Sequence, residues 1–165
     1  MSRAEMKDAD REEVKHFTER YWHAPFVMST GRKFYPHQEH GFIERRDGEI
    51  VGLLTYRIEG DVMQLLTLNS LLEGQGIGSS LLLSAIEAAR ESGCREVTLI
   101  TTNDALRAIG LYQRLGFRMV AVNVGVVDEA RKIKPEIPLV GERGIPIHDE
   151  VAMRLTIKPY IDNDK

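Results

Sequence analysis

Apolar residues near the start of the chain keep a helical rhythm. Val14, Phe17 and Tyr21 recur at i, i+3 and i+7 and predict a helix over residues 11–22. Asp10 stands before it as a cap, with Glu13 in capping-box position. Residues 25–29 carry a weaker helical signal. The period then shortens to that of strands. Residues 41–46 and 50–58 flank the hairpin signal Asp47-Gly48, and Glu59-Gly60-Asp61 turns the chain into a third strand over 62–69. These three read as antiparallel neighbours. A first strand would have to fall in the opening nine residues, where only 4–6 has any such character.

The second half alternates strands with helices. Ile77, Leu81, Leu82, Ala85, Ile86 and Ala89 make one apolar helical stripe, closed by Gly93. Residues 96–102 are apolar and β-branched, and Asn103 or Asp104 is placed to cap a helix that ends at Gly116. Residues 117–124 form a strand. In the last strand, 151–157, Val151, Met153, Leu155 and Ile157 face one way and Ala152, Arg154 and Thr156 the other. Between these two strands lies an excursion, 127–150, with a short charged helix and a turn-rich stretch, 135–148. The pattern predicts a mixed α/β layer protein whose sheet is half antiparallel and half parallel.

A length of 165 residues fits a single domain, 1–165, with no repeat or linker inside it. With 22 Lys and Arg against 25 Asp and Glu, the net charge of −3 argues against a nucleic-acid partner, which needs a basic face. No apolar run reaches the length of a membrane span, and the first ten residues do not read as a signal peptide, so a cytoplasmic location without membrane attachment is expected. The lone Cys94 excludes a disulfide framework and reads as a buried small residue. His37 and His40 lack a third ligand, so no metal is expected.

The main chemical signal is the segment Glu73-Gly74-Gln75-Gly76-Ile77-Gly78-Ser79-Ser80, between a strand and the long helix. Glycines at alternate positions let backbone approach a ligand, and free N–H groups at a helix start form an anion site suited to a pyrophosphate. Ser79 adds a hydroxyl. The loop has no lysine for a Walker A site, and it does not follow a first strand as a dinucleotide or S-adenosylmethionine site would require.

A second segment, Asn103 to Phe117 with Leu111-Tyr112 and Gly116-Phe117, resembles the second signature of the GNAT N-acetyltransferases, and the glycine loop resembles that family's acyl-coenzyme A loop. The two lie in the family's order, and the likeness extends over roughly 41–124. It implies a three-layer fold whose central sheet is splayed, partly antiparallel and flanked by helices. It also implies transfer of an acetyl group from acetyl-coenzyme A to a primary amine. By that resemblance Leu66 and Leu68 supply main-chain contacts to the pantetheine arm, Gly74, Gln75, Gly76, Ile77, Gly78 and Ser79 hold the pyrophosphate, and Asn103 bonds the pantetheine. Tyr112 then donates a proton to the departing thiolate.

Two positions depart from the family. Glu73 stands where Arg or Gln is usual, and Gln64 where many relatives carry a carboxylate base. The base is therefore open among His148, Asp149, Glu150, His37, His40 and a water chain. A degenerate acyl-coenzyme A sensor or interaction module is the second reading. Trp22, Phe26, Tyr35, the loop to His40 and 135–148 are expected to form the acceptor pocket, suited to a small amine, a peptide N-terminus or a lysine. A homodimer is compatible with the sequence, the excursion being either an acceptor-side or an interface element.

Overall fold

The computed structural model describes residues 2–159. In chain order it holds β1 (Ser2–Glu5), α1 (Arg11–Trp22), β2 (Val27–Ser29), β3 (Arg32–Phe34), β4 (His40–Arg46), β5 (Glu49–Glu59) and β6 (Val62–Ser70). Then follow α2 (Ile77–Glu91), β7 (Glu96–Thr102), α3 (Leu106–Arg114), β8 (Arg118–Asn123), α4 (Val126–Ile133) and β9 (Glu150–Thr156). Met1 and residues 160–165 of the expected domain lie outside the described residues.

Among the described residues, seven strands form one sheet in the order β1-β4-β5-β6-β7-β9-β8. The expected even split between parallel and antiparallel pairing is corrected here, because only β6 and β7 run parallel. The reason is β9. It enters between β7 and β8, antiparallel to both, and so takes the place where a simple crossover would have set β8 directly beside β7.

Helices cover both faces. The apolar stripes of α2 and α3 pack with Leu54, Met63, Val97 and Met153 in the larger core, while Val14 and Phe17 of α1 meet Ile43, Ile50 and Leu53 in a second one. At Gly52 a Cβ would meet Ile77 Cγ2 at 2.5 Å, so the start of α2 rests directly on β5. Burial of these stripes, at roughly 25 cal/mol per Å² of apolar surface, is the main force holding the layers together.

Four local expectations change. Residues 25–29 are not helical, because β2 pairs with β3 in a hairpin turned by Thr30 and Gly31 at φ 48 and 76. Asp10 and Glu13 do not form a capping box on α1. Asp10 Oδ2 accepts the Lys7 N–H at 2.8 Å in the preceding 3-10 turn, and Glu13 accepts from Arg45, also at 2.8 Å. Neither Asn103 nor Asp104 caps α3, whose N-cap is Ala105 with no side-chain bond. Their side chains reach sideways to the excursion instead. At the start of the chain, β1 is a full strand, with Ala4 opposite Ile43.

Candidate functional site

The site begins where the parallel pair comes apart. Val62 to Leu65 pair with Glu96 to Leu99, and no rung follows. At that point Leu66 is an extra residue on β6, since Leu65 faces Tyr56 and Thr67 faces Thr55 on β5. A bulge bends its strand and increases the local twist. From there β6 continues beside β5, pinned by a buried hydroxyl pair, Thr55 Oγ1 to Thr67 Oγ1 at 2.6 Å, while β7 continues beside β9. The β6 edge from Leu66 onward thus faces an opening rather than a strand.

Beyond β6 the chain reaches the glycine loop. Gly74 and Gly76 have φ of 72 and 71, a left-handed conformation that costs other residues about 1–2 kcal/mol. Gly76 is the N-cap of α2, and Ser80 N–H is bonded back to its carbonyl at 3.0 Å. The N–H groups of Ile77, Gly78 and Ser79 precede that bond and meet the positive end of a 15-residue helix. No Cβ contact crowds Gly74 or Gly76. The Ile77 side chain belongs to the core and Gly78 packs toward Leu111, so both can offer a ligand main-chain atoms only. Gln75 accepts a hydrogen bond from Arg46, and the unusual Glu73 is paired with Arg107, which brings basic side chains to a loop that has none of its own.

A cavity of about 460 Å³ occupies the opening. Leu66, Leu68, Thr102 and Tyr112 line it, together with Trp22, Val27, Met28, Ile137 and Ile147. Tyr112 is 7% exposed, its ring 5.8 Å from Phe117, and burial pushes its hydroxyl up to about 12. The phenol is therefore protonated at neutral pH.

Asp104, Lys134, Glu142 and Glu150 line this cavity; the Asp104 carboxylate accepts from the Thr102 hydroxyl and the Glu142 N–H, whereas Glu150 and Lys134 keep hydrogen-bonding capacity unmet. Glu150, the first residue of β9, is 4% exposed, and its Oε2 has no hydrogen-bond partner. Burial raises its carboxyl above the usual range, against a smaller lowering by the backbone N–H of Thr30. Lys134 follows α4 and is 3% exposed, with Nζ donating to the Phe26 carbonyl at 2.8 Å and lying 5.3 Å from the Phe26 ring centre. Burial pushes its ammonium down to about 8. Sequence reasoning missed Lys134. The signal was present, since Val127, Ala130 and Lys134 stand at i, i+3 and i+7, and the first two are buried.

The other candidates lie elsewhere. Asn103 Oδ1 accepts the N–H groups of His148 and Asp149 at 2.9 and 3.0 Å, and Nδ2 donates to the Pro146 carbonyl at 2.8 Å. Arg131 adds bonds to the carbonyls of Pro138 and Ile147, both at 2.6 Å, so the excursion is a fastened wall of the cavity. His148 pairs with Asp128 at 2.9 Å on the surface, and Asp149 accepts the Gly125 N–H at 2.8 Å. Gln64 does not line this cavity, although it donates to Ser29 Oγ, which does, at 3.3 Å. The loop from Tyr35 to His40 does not line it either. Arg11 holds the carbonyls of His37 and Glu39 at 2.7 and 3.2 Å, and His40 stacks on Tyr56. Phe26 does not line the cavity, but its carbonyl and ring both face Lys134 Nζ. Among the described residues no three His, Cys, Asp or Glu side chains come together to hold a metal, and no helix is long and apolar enough to cross a membrane.

Comparison with known proteins agrees with this geometry. The model of the acetyltransferase (GNAT) family matches residues 5–117. The Bacillus subtilis protein YxbD is 38% identical over 141 residues, 85% of this chain and 89% of that one. In structure, an IAA acetyltransferase from Bacillus cereus superimposes with a TM-score of 0.73 at 18% identity, covering 94% of this chain and 98% of that one. A GNAT family acetyltransferase from Elizabethkingia anophelis, solved with acetyl-CoA bound, gives 0.63 at 19% identity over 72% of this chain and 76% of that one.

Proposed function

Because the chain belongs to the GNAT acetyltransferase family, we propose that it moves the acetyl group of acetyl-coenzyme A to a primary amine by direct attack in a ternary complex. The observation that carries this reading is the meeting of three things in one cavity: the free edge of β6, the Tyr112 phenol and the Glu150 carboxylate with its unpartnered Oε2. Support for the cosubstrate comes from the same elements. The pyrophosphate sits on the N–H groups of Gly76 to Ser79, and the pantetheine runs along the main chain of Leu66 and Leu68 in place of the missing strand.

The acceptor arrives as an ammonium ion. Glu150, whose carboxyl burial raises above its ordinary value, takes one proton and frees the nitrogen lone pair. The nitrogen forms its bond to the thioester carbon, and the carbonyl oxygen takes up negative charge beside the main-chain N–H near Leu68. As that charge returns, the carbon–sulfur bond breaks, the thiolate receives the Tyr112 proton, and the second proton on the nitrogen is given up to restore the phenol, leaving a neutral amide and free thiol. A base other than Gln64 is needed, and Glu150 meets the need from β9 rather than β6. We also take the chain to act as one domain. The test is release of free thiol from acetyl-coenzyme A with a panel of amines. Release that depends on the amine is expected, whereas tight coenzyme A binding with no release by any amine would indicate a sensor.

A further inference from the structure

Glu150 and Lys134 are buried, oppositely charged and on the same cavity, yet they are not paired with each other. Among the described residues no carboxylate lies within ion-pair distance of Lys134 Nζ. Its one hydrogen bond, to the Phe26 carbonyl at 2.8 Å, leaves two of its three N–H groups to be satisfied. A buried ammonium without a counterion is unfavourable, and a fold that needed only an anchor on the Phe26 carbonyl could use a neutral donor. Glu150 Oε2 is in the opposite position: a buried acceptor lacking a donor.

We propose that Lys134 is an acceptor-specificity residue that binds a carboxylate, so that the amine acetylated is an α-amino acid with an apolar or aromatic side chain. The proposal rests on the acetyl-transfer reading above for the role of the amine. A zwitterion satisfies both orphans at once, its ammonium going to Glu150 and its carboxylate to Lys134. Charge-assisted bonds of this kind are the strong ones, and a desolvated site strengthens them further. Burial lowers the Lys134 ammonium to about 8 despite a smaller raising by Glu136, which is not in ion-pair contact with it, and a bound carboxylate would raise it. The side chain of the amino acid then meets Trp22, Met28, Val127 and Ile147, which are apolar or aromatic and line the same space. Glu142 also lines the cavity, and its backbone N–H is bonded to Asp104 at 3.2 Å.

The experiment is calorimetry in the presence of coenzyme A, comparing L-phenylalanine with phenethylamine and L-leucine with isoamylamine, pairs that differ only in the carboxylate. The wild-type protein should bind each amino acid at least about tenfold more tightly than its amine. Lys134→Met should abolish that preference by weakening the amino acid, leaving amine affinity within about twofold. Should the variant not fold, the wild-type protein decides alone through phenylalaninamide, which keeps the shape and loses the charge. Binding of the amide or amine as tight as that of the amino acid, or binding of none of them, overturns the proposal. Acetylation is followed in parallel. Selective binding of amino acids without their acetylation would overturn the transfer reading and leave the carboxylate site standing.

Discussion

Leu65 faces Leu99 across the last rung at which β6 and β7 run side by side. One residue later the bulge at Leu66 bends β6 toward β5, and the opening that results is the cavity shared by Tyr112, Lys134 and Glu150. A one-residue irregularity in a strand thus creates both a free main-chain edge and the space in front of it.

Tyr112→Phe keeps the ring against Phe117 and deletes the proton donor. Loss of a general acid acts on the chemical step, so single-turnover rates should fall by about 10²–10⁴. Coenzyme A affinity, measured separately, should stay within about twofold, because the phenol acts as charge develops on sulfur. A mutant within about threefold of wild-type chemistry would make Tyr112 a packing residue.

Glu150→Gln separates catalysis from stability. Turnover should drop by about 10²–10⁴. The carboxyl is raised in the folded protein, so the stability it contributes is present below its ordinary value of 4.5 and is lost as pH rises through the folded value. At neutral pH the ionised side chain therefore costs stability, and thermal melts should show the amide variant no less stable than wild type. In the wild type, activity should fall as pH drops through a value above 4.5, and that limb should vanish in the variant. Unchanged turnover in the variant would send the search for the base elsewhere.

Gly76→Val tests the phosphate cradle. The position has φ 71 with open space around it, so the variant should fold while its backbone resists the loop geometry. Coenzyme A binding should weaken by more than about tenfold, or 1.4 kcal/mol, in calorimetry. Wild-type affinity would contradict the cradle.

Asn103→Ala removes three hydrogen bonds that fasten the wall from Pro146 to Asp149. At roughly 0.5–1.5 kcal/mol each, the loss should amount to about 1.5–4.5 kcal/mol, seen as a lower melting temperature. The KM for the acceptor should rise more than that for acetyl-coenzyme A, since the loosened wall belongs to the acceptor side. Equal effects on both would place the residue's weight on the pantetheine.

Much of this protein was legible in the residues themselves. The 3.6 and 2 periodicities located α1, α2 and the strands of the meander, because each element's burial pattern is written in its own side chains. The glycine loop and the segment around Tyr112 were legible for a similar reason, since each is a contiguous stretch whose backbone needs particular residue types. What the sequence did not disclose depends on contacts between distant segments. Insertion of β9 between β7 and β8 is a pairing choice between strands with a helix and a long excursion between them. That same insertion carries Glu150 into the cavity, while Gln64 does not line it and reaches only Ser29, which does. Lys134 lay on the buried phase of α4, yet only the packing of that helix against the Phe26 carbonyl makes a lysine there a buried cation. Local periodicity fixes which face of an element is covered. Which partner covers it, and whether a charge left inside finds a counterion, is decided by the assembled layers alone.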